Sequence, residues 1–224
     1  MIPAIFTACG NDDDEQQENN RVSLLYEFSS DAEGWEGDFS DYPVGEDEAY
    51  QLQFEHIALP GPLDNTQGAL KLSGLNHSDD LFMFVKKQVT DLIPNREYQL
   101  NFTVEFASDQ GEGQFGIGGS PGESVYLKVG ATPQDLVKTP DEEGWYRLNI
   151  DKGNQAQGGE DMVVIGNFTN GSSENVYTLK TLSNTTPLRA TASGEGKIWI
   201  IFGTDSGFEG STTIYINKIG VELF

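Results

Sequence analysis

Short segments in which apolar and polar residues alternate recur along the chain. In residues 98–106 five apolar side chains alternate with four polar ones, the pattern of a strand with one face on a core and the other toward solvent. Residues 22–28 alternate in the same way, with Leu24, Tyr26 and Phe28 on one face. Further strands are predicted at residues 68–73, 81–89, 113–118, 124–130, 145–151, 161–168, 176–182, 197–203 and 212–223.

Clusters of Gly, Asn, Asp and Pro separate these segments and supply turn geometry. No long stretch has the apolar spacing of a helix. The pattern therefore predicts an all-β fold, a two-sheet antiparallel β-sandwich of the jelly-roll kind, in one domain over residues 22–224. At most one short helical turn is expected, at residues 132–135, where Thr132 would cap and Pro133 would take the first helical position.

The last predicted strand changes its parity part of the way along. Ile214 and Ile216 share one parity, whereas Ile219, Val221 and Leu223 share the other. A straight strand cannot point both sets into one core, because successive side chains face opposite sides. The sequence therefore predicts a β-bulge near residues 217–218.

The charge balance excludes one class of partner. The chain has 36 acidic and 13 basic residues and a net charge of −23. Binding to a phosphate backbone draws its affinity from basic patches that release counterions, so nucleic acid is not an expected partner. We interpret most of the acidic surface as solvated. Beyond the first residues, no apolar run approaches the roughly 20 residues of a membrane span.

The only cysteine of the chain, Cys9, is followed within three residues by an acidic, amide-rich run. A lone cysteine cannot form an internal disulfide, and no histidine or second cysteine lies nearby to suggest a metal site. Residues 5–9, Ile-Phe-Thr-Ala-Cys, resemble the lipobox of bacterial lipoproteins. Residues 11–15, Asn-Asp-Asp-Asp-Glu, resemble the acidic stretch that follows the lipid-bearing cysteine in surface lipoproteins of the Bacteroidetes.

This resemblance implies that Cys9 is the lipidation site. Residues 1–8 would be the remnant of a lipoprotein signal peptide, and residues 9–21 the lipidated cysteine with an acidic, flexible tether. The protein would lie at the outer membrane or cell surface and contact the membrane only through its lipid anchor, whose acyl chains contribute about 0.8 kcal/mol for each buried CH₂. The alternative is an ordinary disordered terminus with an accidental cysteine.

A second resemblance covers most of residues 22–224. Four segments resemble the strand pattern of galactose-binding-like jelly rolls and carbohydrate-binding modules, namely residues 27–35, 68–73, 96–102 and 213–219. In many such modules an acidic residue of the first strand and an aspartate of the last strand hold a structural calcium. Glu27 matches the first position, and Asn217 stands where the aspartate would be. Calcium also accepts amide oxygens, so a structural calcium at Glu27 and Asn217 is an expectation.

The tryptophans are the first candidates for glycan binding, because sugars stack on aromatic rings and are held by fixed polar groups. Trp35 lies between glycines in an acidic stretch where few strand neighbours are expected, so it is the leading candidate. Trp199 alternates with Ile198 and Ile200 and is expected on a second, semi-exposed face. For Trp145 and Trp199, packing at the core edge is the preferred alternative. The tyrosines that could join such a platform are Tyr42, Tyr50 and Tyr126.

Catalytic motifs have weaker support. A jelly-roll glycosidase needs two carboxylates about 5 to 9.5 Å apart, and the acidic runs at residues 46–48 and 142–143 lack the alternation expected of such a pair on a strand. His77 with Asp79 and Asp80 could form a metal or acid–base cluster, but we prefer an ordinary turn. The glycine-rich segment 113–122 lacks the Gly-Lys-Ser/Thr of a phosphate loop and is interpreted as a hairpin loop.

Three functions remain open from the sequence. The preferred one is a non-catalytic, cell-surface module for carbohydrate binding or adhesion, with a glycan as ligand and no catalytic residues. The first alternative is a hydrolase or lyase that degrades polysaccharide on a jelly-roll scaffold. The second is a structural component of a surface protein complex.

Overall fold

The computed structural model describes residues 21–224. Cys9, the predicted signal-peptide remnant and almost all of the predicted tether lie outside the described residues. Residues 21–224 contain no helix and fourteen strands. The strands are β1 (Val22–Glu27), β2 (Glu36–Ser40), β3 (Gln53–Ala58), β4 (Gly68–Leu75), β5 (Phe82–Val89), β6 (Glu97–Ser108), β7 (Val125–Thr132), β8 (Lys138–Pro140), β9 (Tyr146–Leu148), β10 (Met162–Asn167), β11 (Thr178–Ser183), β12 (Leu188–Thr191), β13 (Ile198–Ser206) and β14 (Ser211–Leu223). In the part of the chain that is described, no helix could therefore cross a membrane.

Two antiparallel sheets form the body of the protein. Sheet A has seven strands in the order β11-β6-β14-β4-β3, with β12 also beside β6 and β1 also beside β14. Sheet B has five strands in the order β10-β7-β13-β5-β2. Strands β8 and β9 pair separately as a small hairpin. The predicted all-β, two-sheet antiparallel sandwich is confirmed.

The main core lies between the two sheets. The five apolar side chains predicted on one face of residues 98–106 are all buried in β6. They belong to the same apolar cluster as Leu127 and Val129 of β7 and as Ile198 and Ile200 of β13. Leu24 and Tyr26 of β1 pack against the edge of this cluster. The alternation in the sequence therefore identified the inward faces of both sheets.

The predicted bulge in the last strand is confirmed at Asn217. The pairing of β14 with β6 shifts by one residue between Ile216 and Lys218, so the apolar residues before and after the bulge are all buried. The bulge also marks a change of partner on the other side of β14. This strand pairs with β4 up to Ile216 and with β1 from Lys218 onward.

Sheet B is covered on its outer face as well. Phe82 and Phe84 of β5, Met162 of β10 and Ile201 of β13 form a second buried cluster there. Three side chains of the segment between β7 and β10 pack onto it, namely Leu136, Leu148 and Ile150. Because Ile198 and Ile200 face the main core and Ile201 faces this second cluster, Trp199 lies on the outer face, as predicted.

Several local predictions were wrong. Residues 113–118 form turns instead of a strand, with Gly113 and Gly118 at φ angles of 72° and 71°. Segment 113–122 joins sheet A to sheet B between β6 and β7, so it is not a hairpin loop. The predicted helical turn at residues 132–135 is a bend that follows β7. The strand predicted at residues 145–151 is limited to the three residues of β9.

Four strands were not predicted, β2, β3, β8 and β12. Strand β3 illustrates the reason, because five of its six residues are exposed at the edge of sheet A and show no alternation of burial. An edge strand held mainly by backbone hydrogen bonds to one neighbour leaves a weak apolar pattern in the sequence.

We expect Phe84→Ala to lower the free energy of unfolding by about 3–5 kcal/mol, because it opens a cavity in the second cluster. Urea unfolding followed by fluorescence measures this change. Phe115→Ala is the control, since Phe115 is 99% exposed, and its effect should stay within about 0.5 kcal/mol. Equal effects of the two substitutions would contradict a packed outer face on sheet B.

Candidate binding cleft

A polar cleft of roughly 240 Å³ opens at one end of the sandwich, beside the outer face of sheet B. Its polar lining comes from Asp41 after β2, Asp80 before β5, Arg147 of β9 and the loop that follows β9. That loop contributes Asp151, Lys152 and Asn154. Leu148 and Ile150 supply the apolar part, which continues into the second buried cluster. The cleft therefore combines fixed polar groups with an apolar base.

Arg147 holds three carboxylates at the mouth of the cleft. Its Nη1 donates to Asp41 Oδ1 at 2.6 Å and to Asp80 Oδ2 at 2.9 Å, and its Nε donates to Asp141 Oδ2 at 3.1 Å. Burial lowers the pKa of the Arg147 guanidinium, but the hydrogen bonds to these carboxylates outweigh burial and raise the pKa above its ordinary value. Arg147 thus remains a fixed cation shared by three acids.

The Asp80 carboxyl group has a pKa above its ordinary value. Burial and the neighbouring Asp41 carboxylate raise the pKa of Asp80, although the hydrogen bond from Arg147 opposes that change. A carboxyl group in this situation takes up a proton more readily than an ordinary aspartate. The cleft therefore contains a carboxyl group with a raised pKa, which is a feature that acid–base chemistry also uses.

Beneath the cleft, Lys128 of β7 and Asp205 of β13 form a buried ion pair. Their side chains are both 0% exposed, and Lys128 Nζ donates to Asp205 Oδ2 at 2.7 Å. Lys128 Nζ also donates to the backbone carbonyls of Lys152 and Gln157, each at 2.9 Å. The backbone N–H of Gln155 donates to Asp205 Oδ2 at 3.0 Å. The pair thus attaches the loop of residues 152–157 to sheet B.

Lys152 links this buried pair to the mouth of the cleft. Its Nζ lies 3.0 Å from Asp205 Oδ2 and 3.4 Å from Asp41 Oδ2. Burial lowers the pKa of Lys152, but the charges of Asp205 and Asp41 outweigh burial and raise it. One continuous network of ion pairs therefore runs from Lys128 through Asp205, Lys152 and Asp41 to Arg147, and it holds the donors and acceptors of the cleft in place.

Two of the predicted aromatic residues lie near this network. Trp145 is half-buried, and its backbone forms an isolated antiparallel β-bridge with Pro43. The guanidinium carbon of Arg147 lies 5.4 Å from the centre of the Trp145 ring. Tyr42 is 1% exposed, and its hydroxyl donates to Asp47 Oδ1 at 2.9 Å. Trp145 can therefore present part of its ring beside the cleft, whereas Tyr42 supports the cleft wall from inside.

The other two tryptophans lie elsewhere. Trp35 lies in the loop between β1 and β2, but it is 3% exposed and packs edge-on against Tyr26 and Phe28 in the main core, so the expectation of few neighbours was wrong. Trp199 is half-buried, and its Nε1 donates to Asp135 Oδ1 at 3.0 Å. Asp205 lies six positions further along β13, which is about 20 Å in an extended strand.

The two residues of the expected calcium site have other contacts. Glu27 pairs with Lys218 at 2.9 Å, and Asn217 Nδ2 donates to Glu105 Oε1 at 2.6 Å. Among residues 21–224 there is no group of three or more His, Cys, Asp or Glu side chains that could hold a metal ion. The structural calcium stays a prediction that rests on the resemblance.

The preferred turn between β4 and β5 is present at residues 76–80. His77 Nε2 lies 3.1 Å from the carbonyl oxygen of Ala49, and its ring packs edge-on against Tyr50. This turn also brings Asp80 to the cleft, a position that the sequence pattern does not predict.

The buried ion pair between Lys128 and Asp205 was not predicted from the sequence. A signal was present, because the two residues carry opposite charges and lie within or next to two strongly apolar strands.

The sequence matches no protein-family model and no curated protein. Solved structures that resemble it include a putative sugar-binding protein from Bacteroides thetaiotaomicron, with a TM-score of 0.42, 11% identity and coverage of 83% of this chain and 86% of that one. Another is the K3 adhesin domain of Lys-gingipain from Porphyromonas gingivalis, with a TM-score of 0.42, 10% identity and coverage of 88% and 97%.

A third is TmCBM61, solved in complex with β-1,4-galactotriose, with a TM-score of 0.38, 9% identity and coverage of 84% of this chain and 87% of that one. Carbohydrate-binding modules with β-sandwich folds are thus among the solved structures that resemble the chain. Likeness at these TM-scores and identities assigns neither a family nor a function to it.

We expect Asp205→Asn to lower the free energy of unfolding by about 3–5 kcal/mol, because it leaves Lys128 as a buried cation without its partner. Urea unfolding provides the measurement. Glu97→Gln is the matched control, since its pair with Arg189 is exposed at 56% and 62% of the two side chains and should change stability by no more than about 0.5 kcal/mol. A loss for Asp205→Asn no larger than for Glu97→Gln would refute the anchoring role of this pair.

Proposed function

We propose that the protein is a non-catalytic carbohydrate-binding module that holds a glycan in the cleft at the end of the sandwich. The observation that carries the proposal is the half-buried Trp145 ring beside a cleft whose polar groups are already fixed by ion pairs. Glycan binding needs both features, because a ring stacks on the C–H face of a sugar while oriented donors and acceptors select its hydroxyl groups. Groups held in place before binding lose little entropy when the ligand arrives.

The charge of the cleft favours an uncharged glycan. Its lining contains three acids, Asp41, Asp80 and Asp151, and two cations, Arg147 and Lys152. Each cation is already paired with at least two carboxylates. A uronic acid would find no free cation and would meet the net charge of −23 of the whole chain. Neutral oligosaccharides therefore fit the cleft better than acidic ones.

The contacts of the cleft carboxylates favour binding over catalysis. Asp41 is held by Arg147 and Lys152, and Asp151 accepts hydrogen bonds from the backbone N–H groups of Gly153 and Glu160. Carboxylates held in this way are not free to act as a nucleophile or base.

The second candidate function is a hydrolase or lyase on the same scaffold. The raised pKa of Asp80 favours it, because a general acid must hold a proton near its working pH.

We also propose that the domain is a lipoprotein, tethered through Cys9 at the outer membrane or cell surface. The resemblance of residues 5–9 to a lipobox and of residues 11–15 to a surface-export run supports this placement. A module fixed by its lipid near the cell would hold a bound glycan at the surface, either alone or as part of a surface protein complex.

We expect the protein to bind at least one neutral oligosaccharide on a glycan array, and Trp145→Ala to weaken that binding by about tenfold through loss of the stacking ring. Isothermal titration of the array hit measures the change. Trp199→Ala is the matched control and should bind normally, since Trp199 does not line the cleft and lies about 20 Å along β13 from Asp205, which anchors the cleft loop.

Reducing-end analysis of the same mixtures separates the two candidate functions. Unchanged glycan supports the binding module, whereas released oligosaccharide would replace it with the hydrolase or lyase. Binding that depends on Trp199 and not on Trp145 would place the glycan on the outer face of sheet B and would contradict the cleft.

We expect native protein to sediment with membranes and to begin at an acylated Cys9, because two or more acyl chains give stable anchoring. Intact-mass analysis of protein extracted from its own cells provides the measurement. Cys9→Ser should be released to the soluble fraction with no acyl mass. A native protein with an uncleaved and unacylated amino end would refute the anchor while leaving the cleft proposal unaffected.

A further inference from the structure

The loop that joins β6 to β7 carries the two most exposed large apolar side chains of residues 21–224. Phe115 is 99% exposed and Ile117 is 71% exposed. Single apolar residues on a surface are ordinary, but these two lie two residues apart in a glycine-rich loop. Loops of this kind on a rigid sandwich often carry binding residues. We call residues 113–119 the apolar arm.

The apolar arm is packed against the loop between β13 and β14. The backbone N–H of Glu209 donates to the carbonyl oxygen of Ile117 at 2.8 Å. Gly116 lies against the ring of Phe208, and Gly118 lies against the backbone of Gly207, so closely that a Cβ atom would clash at either glycine. The backbone of the arm is thus held in place while the Phe115 side chain is exposed to solvent.

The same β13–β14 loop contacts the rim of the binding cleft. A Cβ atom on Gly207 would lie 3.1 Å from Gln155 Oε1 and 3.3 Å from Asp79 Oδ1. Gln155 Nε2 donates to the carbonyl oxygen of Asp79 at 2.9 Å. These two residues directly adjoin Asn154 and Asp80, which line the cleft. The apolar arm and the cleft are therefore joined by contacts at one end of the sandwich.

We propose that Phe115 and Ile117 form a second contact region for the glycan held in the cleft, so that the ligand is an oligosaccharide of several units and not a single sugar. This inference rests on the proposed function. The Phe115 ring has both faces available for stacking, as the C–H face of a sugar requires. Because its backbone is held by the β13–β14 loop, the ring extends the contact surface beyond the cleft.

The charges around the arm favour a neutral glycan over a lipid surface. Glu112, Glu123 and Glu209 lie within or beside the loops that form the arm and its support. Glu123 accepts the backbone N–H of Gly113 at 3.3 Å, which fixes one of these charges at the base of the arm. Anionic lipid head groups attract basic segments and repel acidic ones. Insertion of Phe115 into a membrane would bring these carboxylates to the lipid surface.

The test uses cello-, xylo-, manno- and galacto-oligosaccharides of one to six units with isothermal titration. Wild-type affinity should rise with chain length. Phe115→Ala should remove that gain, weakening binding of the longest chain by about tenfold while leaving the shortest bound chain unchanged. Phe115→Tyr keeps the ring and should restore the gain. Ile93→Ala is the matched control, because Ile93 is 49% exposed in the β5–β6 loop, at the opposite end of the sandwich.

Three outcomes would overturn the proposal. If Phe115→Ala binds every chain length as the wild type does while Trp145→Ala loses affinity, the arm is not a contact region and the cleft proposal stands. If the wild type binds none of these oligosaccharides, the proposed function fails and the arm proposal fails with it. If the wild type floats with phosphatidylethanolamine–phosphatidylglycerol vesicles and Phe115→Ala does not, the arm contacts lipid instead.

Discussion

A buried charge must find a partner inside the protein, and the outer face of sheet B is organised around that requirement. Lys128 and Asp205 are fully buried on adjacent strands, and an isolated charge there would cost several kcal/mol. Lys128 Nζ completes its hydrogen bonds with carbonyls of Lys152 and Gln157. The loop that carries them is thereby fixed across the sheet, next to the apolar cluster that Leu148 and Ile150 help to close.

The binding cleft follows from this anchored loop. Lys152 reaches from Asp205 to Asp41, and Arg147 continues the network to Asp80 and Asp141. Groups that would be free to rotate on an open surface are thus ordered before any ligand arrives, which lowers the entropic cost of binding. The ion pairs that order the cleft also neutralise its cations, so under the proposed function hydrogen bonding and ring stacking would recognise the ligand. The contacts that stabilise this end of the fold would then also set the proposed ligand preference.

Sequence pattern was a good guide in the longer strands that have one buried and one solvated face. In strand β6 the alternation of apolar and polar residues matches the alternation of burial. In β14 the apolar residues change parity at Asn217, where the pairing with β6 shifts by one residue. The pattern failed at β3, whose edge position leaves most of its residues exposed, and in the apolar arm, where Phe115 and Ile117 mimic a strand but face solvent. The opposite error was made at Trp35. Its polar, glycine-rich sequence neighbours suggested exposure, but its ring is buried in the main core.

The sequence by itself determined the architecture, since alternation, turn residues and the absence of helical spacing allow little other than a two-sheet sandwich. Its charge also made nucleic acid an unexpected partner. Only the tertiary structure decided where a site could lie, because the residues of the cleft come from three separate parts of the chain. Asp41 and Arg147 are 106 positions apart, yet their side chains meet at 2.6 Å. Contacts of that kind depend on which strand ends the fold brings together, and the local sequence pattern does not reveal this.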